Sequence, residues 1–196
     1  MKSTLTSALL FLFLTLLCGL IYPLAVTGVA ALAFSTESKG SLVKNLEGKL
    51  VGSRLLAQKT TGPRYFWPRP SAGDYATIAS AASNLSATSD KLRLQRRENA
   101  ANFRRQHSLP ETTHVPADMV DTSGSGLDPD ISLAAAQLQV GRVAHARQVP
   151  LETIQAILER SLIRSSLLGD ERVNVLTLNL ALEAALGSEK TEQRRP

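Results

Sequence analysis

An uncharged run near the amino terminus constrains this chain more than any other feature of its sequence. No charged residue lies between Lys2 and Glu37, and the stretch from Ala8 to Phe34 reads ALLFLFLTLLCGLIYPLAVTGVAALAF. A helix that rises 1.5 Å per residue crosses a bilayer core of about 30 Å with roughly 20 apolar residues. The run is therefore predicted to span a membrane, with Tyr22 and Pro23 near the far interface.

Two other interpretations of this run fit less well. A cleavable signal peptide has an apolar region of about 7 to 15 residues before its small residues. Ala31 and Ala33 supply an Ala-x-Ala pattern, but the apolar region here is far longer. A lipoprotein signal would attach lipid to Cys18, yet Leu17 precedes it where a small residue is expected. The run is interpreted as a permanent anchor over residues 1–34.

The charges around the anchor give conflicting indications of its orientation. Lys2 lies before it, and a larger basic set follows it: Lys39, Lys44, Lys49 and Arg54. A literal count favours a cytoplasmic carboxyl-terminal part, but long domains are translocated largely regardless of such charges. Cys18 is the only cysteine, so residues 35–196 carry no thiol. That is compatible with an oxidising compartment without establishing one.

Residues 35–196 are long enough for a single core, and their patterns predict one α+β domain. The segment from Gly62 to Tyr75 contains three prolines and four of the nine aromatic residues, and proline at this density excludes a helix or a central strand. It is predicted to be an ordered loop, because its aromatic side chains need a place to pack. The other predicted elements are strands within Leu50–Ala57, helices over Ser89–Gln106, Leu133–Gln148 and from Pro150, a strand at Arg172–Val175 and a helix at Leu176–Leu186.

Apolar spacing supports two of these helices. The helix over Leu133–Gln148 is predicted from residues spaced three or four apart, namely Ala136, Val140, Val143 and Arg147. The next helix is predicted to bury Ile154, Ile157, Leu158 and Leu162. Gln139 and Arg142 lie three residues apart and are predicted to be neighbours on the protein surface.

Motifs for catalysis or metal binding are nearly absent from the sequence. It has no GxxxxGK[ST] phosphate loop, no GxGxxG dinucleotide fingerprint and no cysteine and histidine spacing typical of zinc. The three histidines follow no HxxxH pattern and are interpreted as exposed polar residues: His107, His114 and His145. The sequence therefore indicates no catalytic residue and no metal site.

The stretch SGSGLDPDIS, from Ser123 to Ser132, has two interpretations. Asp128 and Asp130 resemble part of a calcium loop, but no glutamate follows at the position that completes an EF-hand. Asp130 or Ser132 can instead cap the helix that begins near Leu133, and the glycines permit a tight turn. Capping is the favoured interpretation.

The helix predicted over Ser89–Gln106 is strongly basic. Between Lys91 and Arg105 it carries six positive residues against Glu98. One interpretation is contact with anionic lipid headgroups or an acidic partner; the other, which is favoured, is a solvated surface, since the whole chain has a net charge of only +5. Nucleic acid is excluded as a partner, because a membrane-anchored chain without a known reading module has no route to bases.

Several motifs in a fixed order carry a family resemblance. Behind the single span follow VGSRLLAQ, RYFWPRPSAGDY, ASNLS, VPADMVDTSGSGLDPDIS, AAAQLQVGRVAHAR and LLGDERVNVLTLNLAL. In this combination the chain resembles the KdpC family, the C subunits of the bacterial high-affinity ATP-driven potassium transporter. The resemblance extends from Ile21 to Leu182.

The resemblance implies a non-catalytic, membrane-anchored subunit that is required for assembly and activity of the pump. It implies a catalytic chaperone that raises the affinity of the ATPase subunit for ATP. It implies no cofactor bound by this chain itself; ATP would at most be shared with the ATPase subunit. The implied partners are a potassium-selecting channel-like subunit, the P-type ATPase subunit, a small one-span subunit and membrane lipid. The implied location is the cytoplasmic membrane, with a single pass and residues 35–196 in the periplasm.

The resemblance also points to particular residues. The family glutamine proposed to touch nucleotide corresponds to Gln139, with Arg142 beside it, and an Asn-Leu signature adds Asn84 and Ser83 as nucleotide or partner contacts. A loop that marks the family comprises Ser123, Gly124, Ser125, Gly126 and Asp128.

Two alternatives stay open at the level of sequence. Ala81 and Ala82 stand where the family signature has glycines, and alanine does not allow the same close backbone approach to a phosphate. If the amino terminus lies in the cytoplasm, residues 35–196 lie on the opposite side of the membrane from ATP. Any effect on ATP binding would then be a coupling between two separated sites. One alternative is a nucleotide-contacting domain in the cytoplasm; the other is a membrane-tethered extracytoplasmic binding protein unrelated to a pump.

Overall fold

A computed structural model describes residues 2–78, 80–164 and 169–187 of the chain. It divides into two compact units, Met1–Leu42 and Val43–Pro196. The predicted α+β domain behind one amino-terminal apolar helix is confirmed.

The first unit is dominated by one apolar helix. Helix α1 (Lys2–Leu16) continues through a single π-helical turn at Leu17–Ile21 into α2 (Tyr22–Ala33). The stretch Ser3–Ala33, 31 residues long, is long and apolar enough to cross a membrane. Its large apolar side chains are exposed in the isolated chain, as lipid-facing side chains are before lipid covers them.

The wide π turn has a local cause in proline. Pro23 has no backbone N–H, and in a regular α-helix its ring would press on the carbonyl of Gly19. Just before it the Tyr22 N–H bonds the Leu17 carbonyl, five residues back, which widens the turn. The span therefore continues past Pro23 as a helix to Ala33.

The β hairpin is formed by β1 (Leu42–Lys44) and β2 (Leu50–Ser53), which pair in a two-stranded sheet. Strands were predicted within Leu50–Ala57, but β2 already ends at Ser53. There the Ser53 hydroxyl accepts a hydrogen bond from the Leu55 N–H at 3.0 Å, and its carbonyl accepts one from the Leu56 N–H at 3.3 Å. These bonds turn the chain away from the sheet.

The rest of the second unit combines helices with a small antiparallel sheet. Strands β3 (Asp130–Ser132), β4 (Leu162–Ile163) and β5 (Arg172–Asn174) lie in the order β3-β5-β4, with Ile131 opposite Val173. The helices are α3 (Asp90–Gln106), α4 (Ala117–Val120), α5 (Leu133–Arg147), α6 (Leu151–Arg160) and α7 (Val175–Leu186).

The apolar core lies where α5, α6 and α7 pack on the sheet. All four residues of the α5 spacing are buried: Ala136, Val140, Val143 and Arg147. In α6, Ile154, Ile157 and Leu158 are buried as predicted, but Leu162 is not part of that helix. It lies half-buried in β4, because α6 ends at Arg160.

Side-chain caps set the starts of α5 and α7. The Ser132 hydroxyl accepts from the Ala135 N–H at 3.1 Å, which confirms one of the two predicted caps. The Asn174 side chain accepts from the Thr177 N–H at 3.1 Å. Because of this cap, α7 begins at Val175, one residue before its predicted start.

Candidate functional site

The loop over residues 62–70 is held by polar side chains from inside the domain. As predicted, it forms neither helix nor strand, and Phe66 is fully buried in the core. Its neighbours on the inside are α5 and α7, which supply side chains to its backbone. This loop is the structural centre of the candidate site.

Two buried amides, Gln139 and Asn179, form what we call the amide clamp. Gln139 accepts from the Trp67 N–H at 2.8 Å and donates to the Trp67 carbonyl at 3.1 Å. Asn179 accepts from the Phe66 N–H at 2.8 Å and donates to the Phe66 carbonyl at 2.9 Å. Each amide thus satisfies both backbone groups of one residue, as a neighbouring strand would.

Arg142 fastens the loop one helical turn further along α5. Its guanidinium donates to the Pro63 carbonyl at 2.6 Å, to the Tyr65 carbonyl at 2.9 Å and to Gln139 Oε1 at 3.1 Å. It also lies over the Trp67 ring, 4.0 Å from the ring centroid. A planar guanidinium suits this combination of several carbonyls and an aromatic face. Burial lowers its pKa to about 10.

Arg147 and Glu183 extend the same arrangement. Arg147 donates to the Arg64 carbonyl at 2.8 Å and lies over the Tyr65 ring at 5.2 Å. The Tyr65 hydroxyl donates to Glu183 at 2.8 Å. Side chains of α5 and α7 therefore fix the loop from Arg64 to Trp67 along its whole inner side.

Sequence reasoning misplaced Gln139 and His107. Gln139 was predicted on the surface next to Arg142; the pair is indeed adjacent, but Gln139 is fully buried because the loop covers it. His107 was interpreted as exposed, and that is wrong: it is buried, stacked on Phe103 at 3.9 Å and edge-on to Trp67. Burial lowers the pKa of His107 to about 4. His114 and His145 are exposed as predicted.

Asn179 was missed altogether. It is the only amide in the apolar stretch VLTLNLALEAAL that forms α7, and it faces the core. A lone amide inside such a stretch usually needs a buried partner, and that pattern was the available signal.

The family-marker loop lies beside the segment that contains Ala81. Gly126 has φ +70°, and a Cβ there would lie 2.8 Å from the Ala81 carbonyl oxygen, so the turn needs glycine. The Ser80 hydroxyl donates to the Ser125 carbonyl at 2.7 Å. The buried Ser123 hydroxyl accepts from the Asp128 N–H at 3.4 Å, while Gly124 is exposed.

Asn84 and Ser83 lie apart from Gln139 and Arg142. Asn84 is exposed to solvent, and Ser83 is half-buried. The backbone of Asn84 adopts the left-handed conformation, with φ 52°, which asparagine tolerates. No hydrogen bond between the two pairs occurs in the described part of the chain. The structure therefore brings together Gln139 with Arg142, but not this pair with the Asn-Leu signature.

The aspartates of this region bond to separate partners. Asp128 pairs with Arg69 at 2.8 Å, and Asp130 pairs with Arg172 at 3.0 Å. Asp118 accepts from the Ser132 N–H at 2.7 Å. Within residues 2–78, 80–164 and 169–187, no three metal-binding side chains of histidine, cysteine, aspartate or glutamate come together. These aspartates therefore connect different segments of the domain.

In front of the clamped loop lies a cleft of about 270 Å³. One wall is formed by Trp67 of the loop and by Tyr75, which follows the loop, and the other wall is α3. The Tyr75 hydroxyl donates to the Arg69 carbonyl at 2.7 Å. Burial, with a smaller contribution from Asp74, raises the pKa of Tyr75 to about 12, so this phenol stays protonated. Met119, which lines the cleft, also accepts a 3.7 Å hydrogen bond from Gln139.

Comparison with known proteins identifies relatives over nearly the whole chain. The family model KdpC, described as K+-transporting ATPase, c chain, matches residues 4–184. A potassium-transporting ATPase KdpC subunit from Pseudomonas aeruginosa is 47% identical over 171 residues, 87% of this chain and 91% of that protein.

Two further relatives carry the same name. The potassium-transporting ATPase KdpC subunit of Pseudomonas putida is 47% identical over 174 residues, which cover 89% of this chain and 91% of the relative. That of Herminiimonas arsenicoxydans is 44% identical, with 93% of this chain and 98% of the relative covered.

Proposed function

We propose a function for this chain from the premise that it belongs to the KdpC family, the c chain of K+-transporting ATPase. The chain is a non-catalytic subunit of the pump, anchored by the helix Ser3–Ala33 and required for assembly and activity. It raises the affinity of the ATPase subunit for ATP without holding ATP in a site of its own.

The observation that carries this proposal is the burial of Gln139. Its side chain is fully enclosed, and both ends of the amide are bonded to the Trp67 backbone. A nucleotide could reach this amide only if the loop were displaced. Gln139 and Arg142 therefore act on the pump by fixing the shape of the loop, which biases a conformation of the partner that binds ATP more tightly.

The proposal includes partners and a location. The partners are the potassium-selecting channel-like subunit, the ATPase subunit, the small one-span subunit and membrane lipid. The domain lies on the periplasmic side of the cytoplasmic membrane. The two signatures face a partner subunit through the exposed Asn84, with the half-buried Ser83 beside it, and through the exposed Gly124 and Ser125. The rival functions are a nucleotide-contacting domain in the cytoplasm and a tethered binding protein unrelated to a pump.

Reporter fusions at the carboxyl terminus test the location. We expect alkaline phosphatase fused there to be active, because that enzyme matures outside the cytoplasm, and a green fluorescent protein exported in an unfolded state to stay dark. A bright green fusion with an inactive phosphatase would overturn the periplasmic assignment and favour the cytoplasmic alternative.

Copurification with the transporter subunits from detergent tests the other alternative, a tethered binding protein. A chain that elutes alone supports a protein unrelated to a pump.

Substitution of Arg142 by lysine tests the role of the loop. Lysine keeps the charge but cannot bond the Pro63 and Tyr65 carbonyls at once while stacking on Trp67. We expect the pump with Arg142→Lys to assemble normally but to need severalfold more ATP for half-maximal hydrolysis, with kcat little changed. The matched control is Arg97→Lys on the exposed side of α3. An unchanged ATP requirement in a folded Arg142→Lys complex would contradict a role for the loop in coupling.

A further inference from the structure

The cleft in front of the clamped loop has a lining that the proposed function does not use. Helix α3 contributes three amides from one face, Asn99, Asn102 and Gln106. The facing wall comes from the loop and the residues next to it: Thr60, Trp67, Pro68, Pro70 and Tyr75. Phe103 and Met119, both buried, complete the lining.

The lining is uncharged. None of the ten lining residues, all of which lie in the described part of the chain, is an aspartate, glutamate, lysine, arginine or histidine. Tyr75 adds no charge, because it is protonated at neutral pH. A nucleotide, a free phosphate or a cation would lose its hydration here without gaining an opposite charge. The cleft is therefore suited to a neutral ligand with hydrogen-bonding groups.

The row of amides is about as long as one turn of an extended chain. Residues 99, 102 and 106 are three and four apart on one helix, so at 1.5 Å per residue the row is about 10.5 Å long. One turn of a polyproline II helix contains three residues and is about 9.3 Å long. The volume of about 270 Å³ is at the lower limit of ligand sites, which suits a segment of a few residues.

The facing wall has the residue types that bind such a segment. Polyproline II segments dock in grooves lined by aromatic side chains, and they lose little entropy because they are already extended. Trp67 is held in place from behind by Gln139 and by Arg142 over its ring. On the α3 side, Asn99 already donates to the Val120 carbonyl at 2.8 Å, and the Asn102 oxygen accepts from Arg105. The Gln106 amide makes no hydrogen bond with any other described residue, so it is fully available to a peptide backbone.

We propose that this cleft binds an uncharged, extended segment of another protein chain, about one polyproline II turn long, between the α3 amides and the Trp67 wall. Gln106 bonds the backbone of the segment, with the remaining Asn99 oxygen and Asn102 NH2 group beside it. The proline or other apolar side chains of the segment pack on Trp67 and Pro70. This inference concerns a peptide site and does not depend on how the chain affects ATP affinity.

Intrinsic fluorescence tests the site directly, because Trp67 is the only tryptophan in the chain. The full-length chain in detergent is titrated with an acetylated and amidated tetraproline peptide. We expect a saturable change in Trp67 emission, and a dissociation constant about 3- to 10-fold higher in Gln106→Ala, which loses one amide hydrogen bond. Arg97→Ala, on the exposed side of the same helix, should bind the peptide as the unmodified chain does.

Other ligands and the assembled complex complete the test. The absence of a saturable response up to about 10 mM peptide, or the same dissociation constant in Gln106→Ala and Arg97→Ala, would overturn the proposal. So would a response to ATP or maltose without one to the peptide, which would assign the cleft to nucleotide or sugar.

A photo-crosslinking residue at position 102 in the purified transporter should join an extended segment of another subunit, whereas one at position 97 should not. Crosslinks at position 102 to lipid alone would contradict the peptide site.

Discussion

Helices α3 and α5 are of similar length, 17 and 15 residues, but they use their polar residues in opposite ways. In α3 most of the cations face outward, and Lys91, Arg93, Arg97 and Arg105 are exposed. In α5 the polar residues Gln139, Arg142 and Arg147 face inward and bond the backbone of the loop over residues 62–70.

The difference follows from what covers each helix. The loop that lies on α5 has an irregular backbone, so its N–H and C=O groups need partners that a sheet would otherwise provide. Long side chains with several donors or acceptors can supply them from a helix. The outer face of α3 has no such cover within its own domain, and its charges stay hydrated. The inward polar side chains of α5 are therefore structural, whereas the exposed cations of α3 are surface groups.

The largest expected effect comes from replacing Gln139, one of the polar residues of α5 that face inward. In Gln139→Leu the Trp67 N–H and C=O lose their partner while they stay buried. An unsatisfied buried group costs about 1–3 kcal/mol, so we expect a loss of about 2–4 kcal/mol in the free energy of unfolding. Urea unfolding of the full chain in detergent, followed by Trp67 fluorescence, measures it.

Gln137 gives a matched control, since it lies on the exposed side of α5. Gln137→Leu makes the same chemical change two residues away, and we expect it to alter stability by less than about 0.5 kcal/mol. If the two variants unfold at the same urea concentration, the amide clamp does not hold the loop as described.

The four longer helices of the domain, α3, α5, α6 and α7, could be predicted from sequence because their signals are local. The spacing of Ala136, Val140 and Val143 lies within one helix, and Ser132 caps that helix from three residues away. The ordered loop was predictable for the same reason, since its prolines exclude regular structure. The start of α7 was missed by only one residue, because the Asn174 cap was not considered.

The site itself could not be predicted, because its bonds join distant parts of the chain. Trp67 and Gln139 are 72 residues apart, and Phe66 and Asn179 are 113 apart. Gln139 lies three residues after Ala136 and four before Val143, on the buried face of α5. The helix itself offers no partner for its amide, so this polar side chain was predicted on the surface. The burial of His107 likewise depends on Trp67, which is distant in sequence.

His107 lies next to side chains of α5 at the end of α3, and its titration gives the second prediction. It follows the last residue of α3, while Trp67 and Arg142 approach it from the loop and from α5. Its pKa is about 4 in the folded chain and 6.5 in a model peptide, so between these values the unfolded chain binds a proton that the folded chain does not. Stability is therefore complete above pH 6.5 and falls as the pH is lowered toward 4.

Urea unfolding at a series of pH values tests this dependence. We expect the free energy of unfolding to decrease between pH 6.5 and 4, and the decrease to be smaller in His107→Phe, which keeps the ring stacked on Phe103 but cannot titrate. His145→Gln, at an exposed position, should keep the full decrease. Equal pH dependence in His107→Phe and the unmodified chain would place the responsible group elsewhere.

The smallest expected effect comes from Arg96, the arginine of α3 that pairs with a carboxylate outside the helix. Its guanidinium bonds both carboxylate oxygens of Asp121, at 2.6 and 2.9 Å, just after α4. The pair is partly exposed to water, which weakens its attraction. We expect Arg96→Ala to lower the urea midpoint far less than Gln139→Leu does, and the loss to shrink in about 1 M salt, where the Debye length is about 3 Å. Arg97→Ala, next to it on the exposed side, should leave the midpoint unchanged. A loss in Arg96→Ala as large as that in Gln139→Leu would mean that α3 too is held by its arginines, and the contrast between the two helices would be wrong.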